Sequence, residues 1–387
     1  MSRQHAPSRR SFLQAALAAG GVAAWPLLGC GPAAKAPTHA APGLDVSGAN
    51  SLAAHAANAN LLFGFAVDTA ALRDNAAYRN TVKQQCSIVV AENAMKWSAL
   101  RPAADKYSFA DADALVAFTD ENHIKLRGHT LCWHGGLPAW FDAAMAPDSA
   151  RGQLLEHIRT VAGRYAGRMH SWDVVNEPIL MADGRPDGLR TSPWLRLAGD
   201  DYIEVAFRAA RDADPTALLT LNEFGVEGQN REDAEKRAAL LLLLRRLKQR
   251  NVPIDAVGIQ SHVRARTLYG YGAGLQSLLR SCNEMDLQVF LTELDVDDRD
   301  LSQNIDARDS GVAAQYASYL QTTLASPAVR AVLTWGVDDA HTWLNTAQPR
   351  GDKQPQRSLL FDERLRPTQA FAAVCDAFDA RSSIPKH

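Results

Sequence analysis

The sequence predicts a (β/α)8 barrel built as a single domain. Three observations carry that expectation. Eight short apolar or β-branched runs alternate with longer segments of helical periodicity. Several of the runs are apolar at successive positions, as strands buried on both faces must be. The runs begin roughly 25–45 residues apart, room for one helix and two loops each, so that eight units fill residues 51–383.

The first fifty residues stand outside that arithmetic. Ser8-Arg9-Arg10-Ser11-Phe12-Leu13 leads into an apolar stretch rich in Ala and Leu and then Leu27-Leu28-Gly29-Cys30. Paired arginines before an apolar segment resemble a twin-arginine export signal, and Leu-x-Gly-Cys resembles a lipobox whose cysteine is lipidated after cleavage. The stretch is short for a membrane span and is broken by Gly20, Gly21 and Pro26. Residues 1–30 are therefore expected to be an address, with Cys30 the lipidation site and a bacterial membrane the anchor. The product would be a periplasmic or cell-surface lipoprotein, or a secreted protein. Residues 31–50, rich in Ala, Pro and Gly, cannot build a core and are expected to be a flexible tether.

From there the strand candidates are Leu62–Val67, Cys86–Ala91, Ile124–Thr130, Ser171–Asn176, Leu218–Asn222, Ala256–Ser261, Gln288–Thr292 and Ala331–Trp335. Between them, Ala112–Asn122 and Gln153–Tyr165 carry apolar residues at three-to-four spacing. Asp201–Asp212 does the same behind an acidic pair, Asp200-Asp201, that suits a helix N-terminus. Ala234–Arg250 holds five consecutive leucines, too few to cross a membrane, and basic residues follow them, so a buried helix face is expected. An open doubly wound sheet is the competing arrangement. That fold often carries a Gly-rich phosphate turn after its first strand, whereas Leu62–Val67 runs into Asp68-Thr69-Ala70 without one.

Composition narrows the function by exclusion. Lys and Arg number 41 against 43 Asp and Glu, a net charge of −2, so there is no basic footprint for nucleic acid. The five cysteines are widely spaced, which argues against both a disulfide framework and a Cys-based metal site. Export by the twin-arginine route, which moves folded proteins, also fits a barrel that folds without disulfides.

In such a barrel the chemistry sits at the C-terminal ends of the strands. The second run ends in Glu92-Asn93-Ala94-Met95-Lys96-Trp97, the third in Gly128-His129-Thr130-Leu131-Cys132-Trp133-His134, and the fourth in Trp172-Asp173-Val174-Val175-Asn176-Glu177. The fifth ends in Asn222-Glu223-Phe224, the sixth in Gln260-Ser261-His262 and the seventh in Thr292-Glu293-Leu294-Asp295. The eighth ends in Thr334-Trp335-Gly336, with Asp338, Asp339, His341 and Trp343 following. Taken singly, each has a plain structural reading: an Asn-Glu pair caps a helix, a Trp fills core, and His129, His134 and His262 are satisfied structural histidines. Buried polar groups need partners, however, and so many converging on one rim point to a polar ligand.

No H-E-x-x-H pair or second Cys/His pair supports a metal, and no cofactor motif is present. Ser261 lacks a nucleophile elbow, and its neighbour His262 alternates to the opposite face. Two glutamates among Trp, Asn, Gln and Lys suit a sugar instead. Aromatic faces stack on apolar sugar faces, and glycoside hydrolysis needs two carboxylates flanking the scissile bond. Glu177 and Glu293 end the fourth and seventh runs, which lie roughly across a closed barrel.

Together these stretches resemble glycoside hydrolase family 10, the barrel xylanases, from around Asn50 to around Ala380. The motifs that carry the likeness are Glu92-Asn93-x-Met95-Lys96-Trp97, Gly128-His129-Thr130-Leu131-x-Trp133-His134, Trp172-Asp173-Val174-Val175-Asn176-Glu177, Gly258-Ile259-Gln260-Ser261-His262, Thr292-Glu293-Leu294-Asp295 and Trp335-Gly336-Val337. The resemblance implies an endo-β-1,4-xylanase that retains anomeric configuration and takes xylan and xylo-oligosaccharides without a cofactor. It makes Glu177 the acid/base, Glu293 the nucleophile, and Asn176 the partner of the substrate 2-hydroxyl. His262 would orient Glu293, with Asp295 behind it. Glu92, Asn93, Lys96, His129, Trp133 and Gln260 would line the glycone subsites, and Trp335 and Trp343 would pack over the bound sugars. A retaining pair lies roughly 5–5.5 Å apart, and the charge on Glu293 is expected to raise the pKa of Glu177.

Two departures stand out. The family commonly has Asn-Asp-Tyr-Asn after the fifth strand; here it is Asn222-Glu223-Phe224-Gly225, so the aglycone-side ring would be Phe224 without a hydroxyl. Many members follow Trp-His with Ser-Gln; here Gly135-Gly136 stands there. Action on β-1,4-glucan or on short xylo-oligosaccharides, and glycan binding by a non-catalytic surface lipoprotein, are the alternatives. A monomer is the default expectation.

Overall fold

A computed structural model describes residues 45–141, 147–267 and 270–383, with the backbone alone at 147 and 148. The export signal of residues 1–30, Cys30 included, and the tether to residue 44 lie outside the described residues.

Nine strand segments run in order: β1 (Leu62–Val67), β2 (Ile88–Ala91), β3 (Lys125–Trp133), β4 (Ser171–Asn176), β5 (Leu218–Glu223), β6 (Ala256–Ile259), β7 (His262–Arg264), β8 (Gln288–Asp297) and β9 (Val329–Thr334). Every pairing is parallel: β1 through β6 pair in sequence, β8 pairs β9, and β9 returns to β1. Pairing of β6 with β8, from Ala256 opposite Gln288 to Ile259 opposite Leu291, closes the barrel. The short β7 continues β6 beyond a break at Gln260-Ser261 and pairs β8 with His262 opposite Asp295.

Strand alternation sorts the two faces. Along β1, Phe63 and Phe65 point out to the helical layer, where they meet Phe378 and Phe361, while Ala66 joins Ile88, Val90, Phe290 and Leu333 in the interior. Both faces are buried, which is why the runs read as continuously apolar. The interior also holds a polar layer: Arg127 donates to Asp173 and Ser171 and lies over the Phe290 ring.

Helices cover the outside after each strand, among them Ala76–Gln85, Ala110–Asn122, Pro147–Arg164, Tyr202–Ala213, Arg231–Gln249, Ala273–Glu284, Ile305–Thr323 and Gln369–Ser382. The leucine run lies in Arg231–Gln249, which buries Leu240, Leu243, Leu244 and Leu247 and leaves Leu242 exposed, as one amphipathic face requires. Asn230 caps that helix by accepting from the Asp233 N–H. No helix among the described residues is long and apolar enough to cross a membrane. Cys86, Cys132, Cys282 and Cys375 are free, buried thiols.

Several boundaries move from those expected. β2 begins at Ile88 and β5 runs on to Glu223; β3, beginning at Lys125, extends to Trp133 and β8 to Asp297, carrying strand geometry out to the rim. The sixth run breaks in two. β9 begins at Val329 and stops before Trp335. The acidic pair does stand at the N-terminus of the Tyr202 helix, with Asp201 in the N-cap position; the Asp201 carboxylate accepts from no helix N–H but takes a two-pronged bond from Arg151 at 2.7 and 2.9 Å.

The tightness of the barrel wall is testable at Gly64, where a Cβ would lie 1.5 Å from the Ile88 carbonyl oxygen of the neighbouring strand. Gly64→Ala should cost at least about 1–3 kcal/mol, because main chain must move to admit the methyl. Urea unfolding reads it out, and an unchanged midpoint would contradict this close approach of β1 and β2.

Candidate active site

Glu293, on β8, is 5 % exposed and held at both oxygens. Asn222 Nδ2, from β5, donates to its Oε1 at 2.7 Å. Asn222 can aim only that way, because its Oδ1 accepts from the Thr292 hydroxyl at 2.7 Å. The same Nδ2 also donates to Asn176 Oδ1 at 2.9 Å, tying β4 to β8. His262 Nε2 reaches Glu293 Oε2 at 3.3 Å, and its Nδ1 meets Asp295 Oδ1 at 2.9 Å. The other Asp295 oxygen accepts from the Trp343 indole at 2.7 Å, and the Trp343 ring packs at a tilt of 55° against His262, ring centres 5.0 Å apart. With a carboxylate at each nitrogen, both nitrogens must donate. Burial pushes His262 toward the neutral form, but Asp295 and Glu293 outweigh it and hold the ring's pKa well above its ordinary value.

The break between β6 and β7 is what delivers His262. Ser261 adopts φ +67°, a left-handed conformation uncommon outside glycine. It is fixed there by the buried Glu227 carboxyl, which accepts from Ser261 N at 2.9 Å, and by a 2.7 Å hydroxyl contact with Tyr319. The break lets both neighbours of Ser261 serve the site: Gln260 reaches Glu177, and His262 reaches Glu293.

Glu177 follows β4 and also has positive φ, +55°. Three main-chain bonds hold its turn: Glu177 N to Asn222 O at 2.9 Å, Arg190 Nε to Glu177 O at 2.9 Å, and Ile179 N to the Glu223 carboxylate at 2.9 Å. Its carboxyl takes Gln260 Nε2 at 3.2 Å, with His134 Nε2 at 3.6 Å and Arg190 Nη2 at 4.0 Å. Burial pushes this carboxyl up. The Trp133 indole (too loosely placed for a full hydrogen bond), His134, Gln260 and Arg190 more than offset that and hold it below its ordinary value. This reverses the expected direction: the expectation counted the neighbouring carboxylate and missed the donors on the other side.

The remaining predicted residues collect on one flank. Lys96 donates to Asn93 Oδ1 at 2.9 Å and stands 5.4 and 5.7 Å from the Trp133 and Trp335 ring centres. Burial lowers the pKa of Lys96, while Glu293, Glu92 and Glu177 act to raise it. Burial raises that of Glu92, which Lys96 partly offsets. His129 packs edge-on against Trp335 at 5.2 Å and bonds Asp173 at 3.0 Å, so the buried Arg127–Asp173 pair steadies it from below. A Cβ on Gly135 would come within 2.7 Å of the Trp133 ring, so the ring lies flush on the main chain. Phe224 stands apart from these networks, its ring against Lys236. Among the described residues no group of three His, Cys, Asp or Glu side chains could hold a metal ion.

Sequence reasoning brought Asn222 to the rim but gave it no role, and it missed Arg190, Glu227 and Lys236. Asn222 sits at a strand end and was legible there; the others lie on loops or helices whose return to the site no local pattern encodes. The assembled groups suit acid/base and nucleophilic work on a polar ligand: one carboxylate clamped by an imidazolium and an amide, and a second facing several donors.

Residues 51–377 match the family model described as Glycosyl hydrolase family 10. The chain is 33% identical over 317 residues to endo-1,4-beta-xylanase 3 of Hypocrea jecorina, covering 81% of each chain. Among solved structures it resembles native xylanase 10B from Thermotoga maritima, with a TM-score of 0.77 and 31% identity over 86% of this chain and 99% of that one. Xylanase 10B from Thermotoga petrophila, solved in complex with xylobiose, also gives a TM-score of 0.77 at 31% identity, over 86% of this chain and 98% of that one.

The His262 geometry predicts its protonation. Nitrogen-15 NMR should find both ring nitrogens protonated at pH 7.5; a neutral tautomer would contradict the arrangement. Because the folded pKa lies above the unfolded value of about 6.5, this imidazolium stabilises fully below that pH, and its contribution is lost as pH rises through the folded value.

Proposed function

The chain belongs to glycosyl hydrolase family 10, and from that premise we propose that it is an endo-β-1,4-xylanase working by retaining double displacement, with Glu177 and Glu293 as its two carboxylates. The observation that carries this reading is Glu293 clamped between Asn222 Nδ2 and His262 Nε2 while Gln260 and Asn176 bridge toward Glu177.

In the first step Glu177 protonates the leaving glycosidic oxygen as Glu293 attacks the anomeric carbon and forms the covalent glycosyl–enzyme. Asn176 bonds the 2-hydroxyl. His262, charged and anchored on Asp295, orients Glu293; Lys96, Asn93, Glu92, His129, Trp133 and Gln260 hold the glycone, and Trp335 and Trp343 pack over it. Burial already pushes Glu177 up against the donors that lower it; a bound sugar adds to that burial, and a neighbouring carboxylate charge acts in the same sense, both favouring the protonated form when a leaving oxygen is present. Once Glu293 is esterified its charge is gone. Glu177 then falls back toward the ionised form and, as base, activates the water that releases the sugar. Phe224 would offer the aglycone a ring without a hydroxyl.

We propose further that residues 1–30 export the enzyme and that Cys30 is lipidated, leaving the barrel tethered to a bacterial membrane. The supporting features are Ser8-Arg9-Arg10-Ser11-Phe12-Leu13 and Leu27-Leu28-Gly29-Cys30.

Two experiments test these readings. Purified mature domain should release reducing ends from β-1,4-xylan, and Glu293→Gln should nearly abolish this. Glu177→Ala should lose about 10²–10⁴-fold on xylan while sparing aryl xylosides with good leaving groups at the first step. Cleavage of carboxymethyl-cellulose alone would keep the mechanism and overturn the substrate; binding without cleavage of either would favour a glycan-binding protein. For the address, the full chain should incorporate labelled palmitate and fractionate with membranes, and Cys30→Ala should abolish the label and release the protein. An unchanged membrane fraction would overturn lipidation.

A further inference from the structure

Against the turn that carries Glu177 lies a buried ion pair that the reaction as derived does not use. Glu223, the last residue of β5, is 0 % exposed, and Lys236, on the first turns of helix Arg231–Gln249, is 5 % exposed. Lys236 Nζ meets Glu223 Oε1 at 2.8 Å. Burying two charges is costly, and a pair in this setting is often no more stabilising than apolar residues of the same volume. The pair therefore needs a reason beyond stability.

The reason is legible in its other contacts. Glu223 Oε2 accepts from the main-chain N–H of Ile179 at 2.9 Å, and Oε1 also accepts from Phe224 N at 3.0 Å. Ile179 lies two residues beyond Glu177. The Glu177 backbone is left-handed, a conformation that costs a non-glycine residue roughly 1–2 kcal/mol and persists only where its surroundings fix it. Asn222 O and Arg190 hold the two ends of the Glu177 peptide; the Glu223 carboxylate is the side-chain contact that fixes the chain just after it. Burial pushes the Glu223 carboxyl up; Lys236 opposes that push and pins the group in place, with its ammonium also 3.5 Å from the Phe224 ring centre. The departure Glu223-Phe224 and Lys236 thus form one unit: the longer acid reaches Ile179, the lysine neutralises it, and the ring covers the lysine.

We propose that Glu223, held by Lys236, is a positioning residue for Glu177, setting where the acid/base carboxyl stands against the leaving oxygen. The proposal rests on Glu177 being the acid/base. A misplaced acid hurts in a recognisable way. Substrates whose leaving group needs a proton lose rate, and those whose leaving group departs unaided do not.

The test uses Lys236→Met, which strands the carboxylate, and Glu223→Gln, which sets an amide NH2 against either Ile179 N–H or Lys236. Lys236→Arg is the rescue that keeps the charge. In variants shown folded by melting, kcat/KM on a phenyl xylobioside should fall about 10–100-fold, the scale of a catalytic group displaced by an ångström or so, and change less than about twofold on the 2,4-dinitrophenyl xylobioside. Lys236→Arg should recover most of the loss. Equal losses on both substrates, or no loss on either, in whichever variant folds, would overturn the proposal. Glu177→Ala run in parallel separates the two failures. If it shows the leaving-group split and the Lys236 and Glu223 variants do not, this inference alone falls. If Glu177→Ala shows none, the acid/base assignment falls with it.

Discussion

The site depends on one interaction, the imidazolium of His262 lying between Asp295 and Glu293. Two buried carboxylates on the same strand, two residues apart, would repel each other and lose their hydration with nothing in return. A cation between them removes both penalties. Because it bonds each through a different nitrogen, its charge cannot be surrendered without breaking a hydrogen bond. Glu293 is thus held at one oxygen by a cation and at the other by an amide.

Everything around that cation serves to place it. In an unbroken strand Gln260 and His262, two residues apart, would share one face and Ser261 would point to the other. The left-handed Ser261, anchored by the Glu227 carboxyl, turns the chain between them, and from the two sides of that turn Gln260 meets Glu177 and His262 meets Glu293. β4 and β8 are separated by β5 and β6 on one side and by β3, β2, β1 and β9 on the other. The shorter path is the one bridged, by Asn222 from β5 and Gln260 after β6. Barrel closure and active-site geometry are in this sense one constraint: without the β6–β8 pairing, Glu293 would have neither partner.

The fold was legible because strands buried on both faces leave continuous apolar runs, and Phe63, Phe65 and Ala66 show both faces occupied. The strand-end residues were legible because a barrel assigns strand ends a place in space. What stayed hidden depended on contacts between segments far apart in sequence. The Ser261 break has no glycine to announce it. Its anchor Glu227 lies beyond the end of β5, and Arg190 reaches Glu177 from a loop. The direction of the Glu177 pKa was missed for the same reason: the neighbouring carboxylate could be named from strand ends, but the donors opposing it could be counted only once Arg190, His134 and Gln260 were seen facing the same oxygens.

The departures from the family pattern are easier to understand as compensations than as losses. Gly135 leaves no side chain where a Cβ would strike the Trp133 ring, so the indole packs directly on main chain there. At the far end, a glutamate replaces the usual shorter acid and reaches the Ile179 amide, but its extra burial calls for a cation. Lys236 supplies one, and the lysine in turn needs a lid with electron density and no competing hydroxyl. A phenylalanine meets that need better than a tyrosine whose hydroxyl would seek its own partner. The lost hydroxyl at Phe224 is then the final step of a local rearrangement that begins with the acid bonded to the Ile179 amide, two residues beyond Glu177.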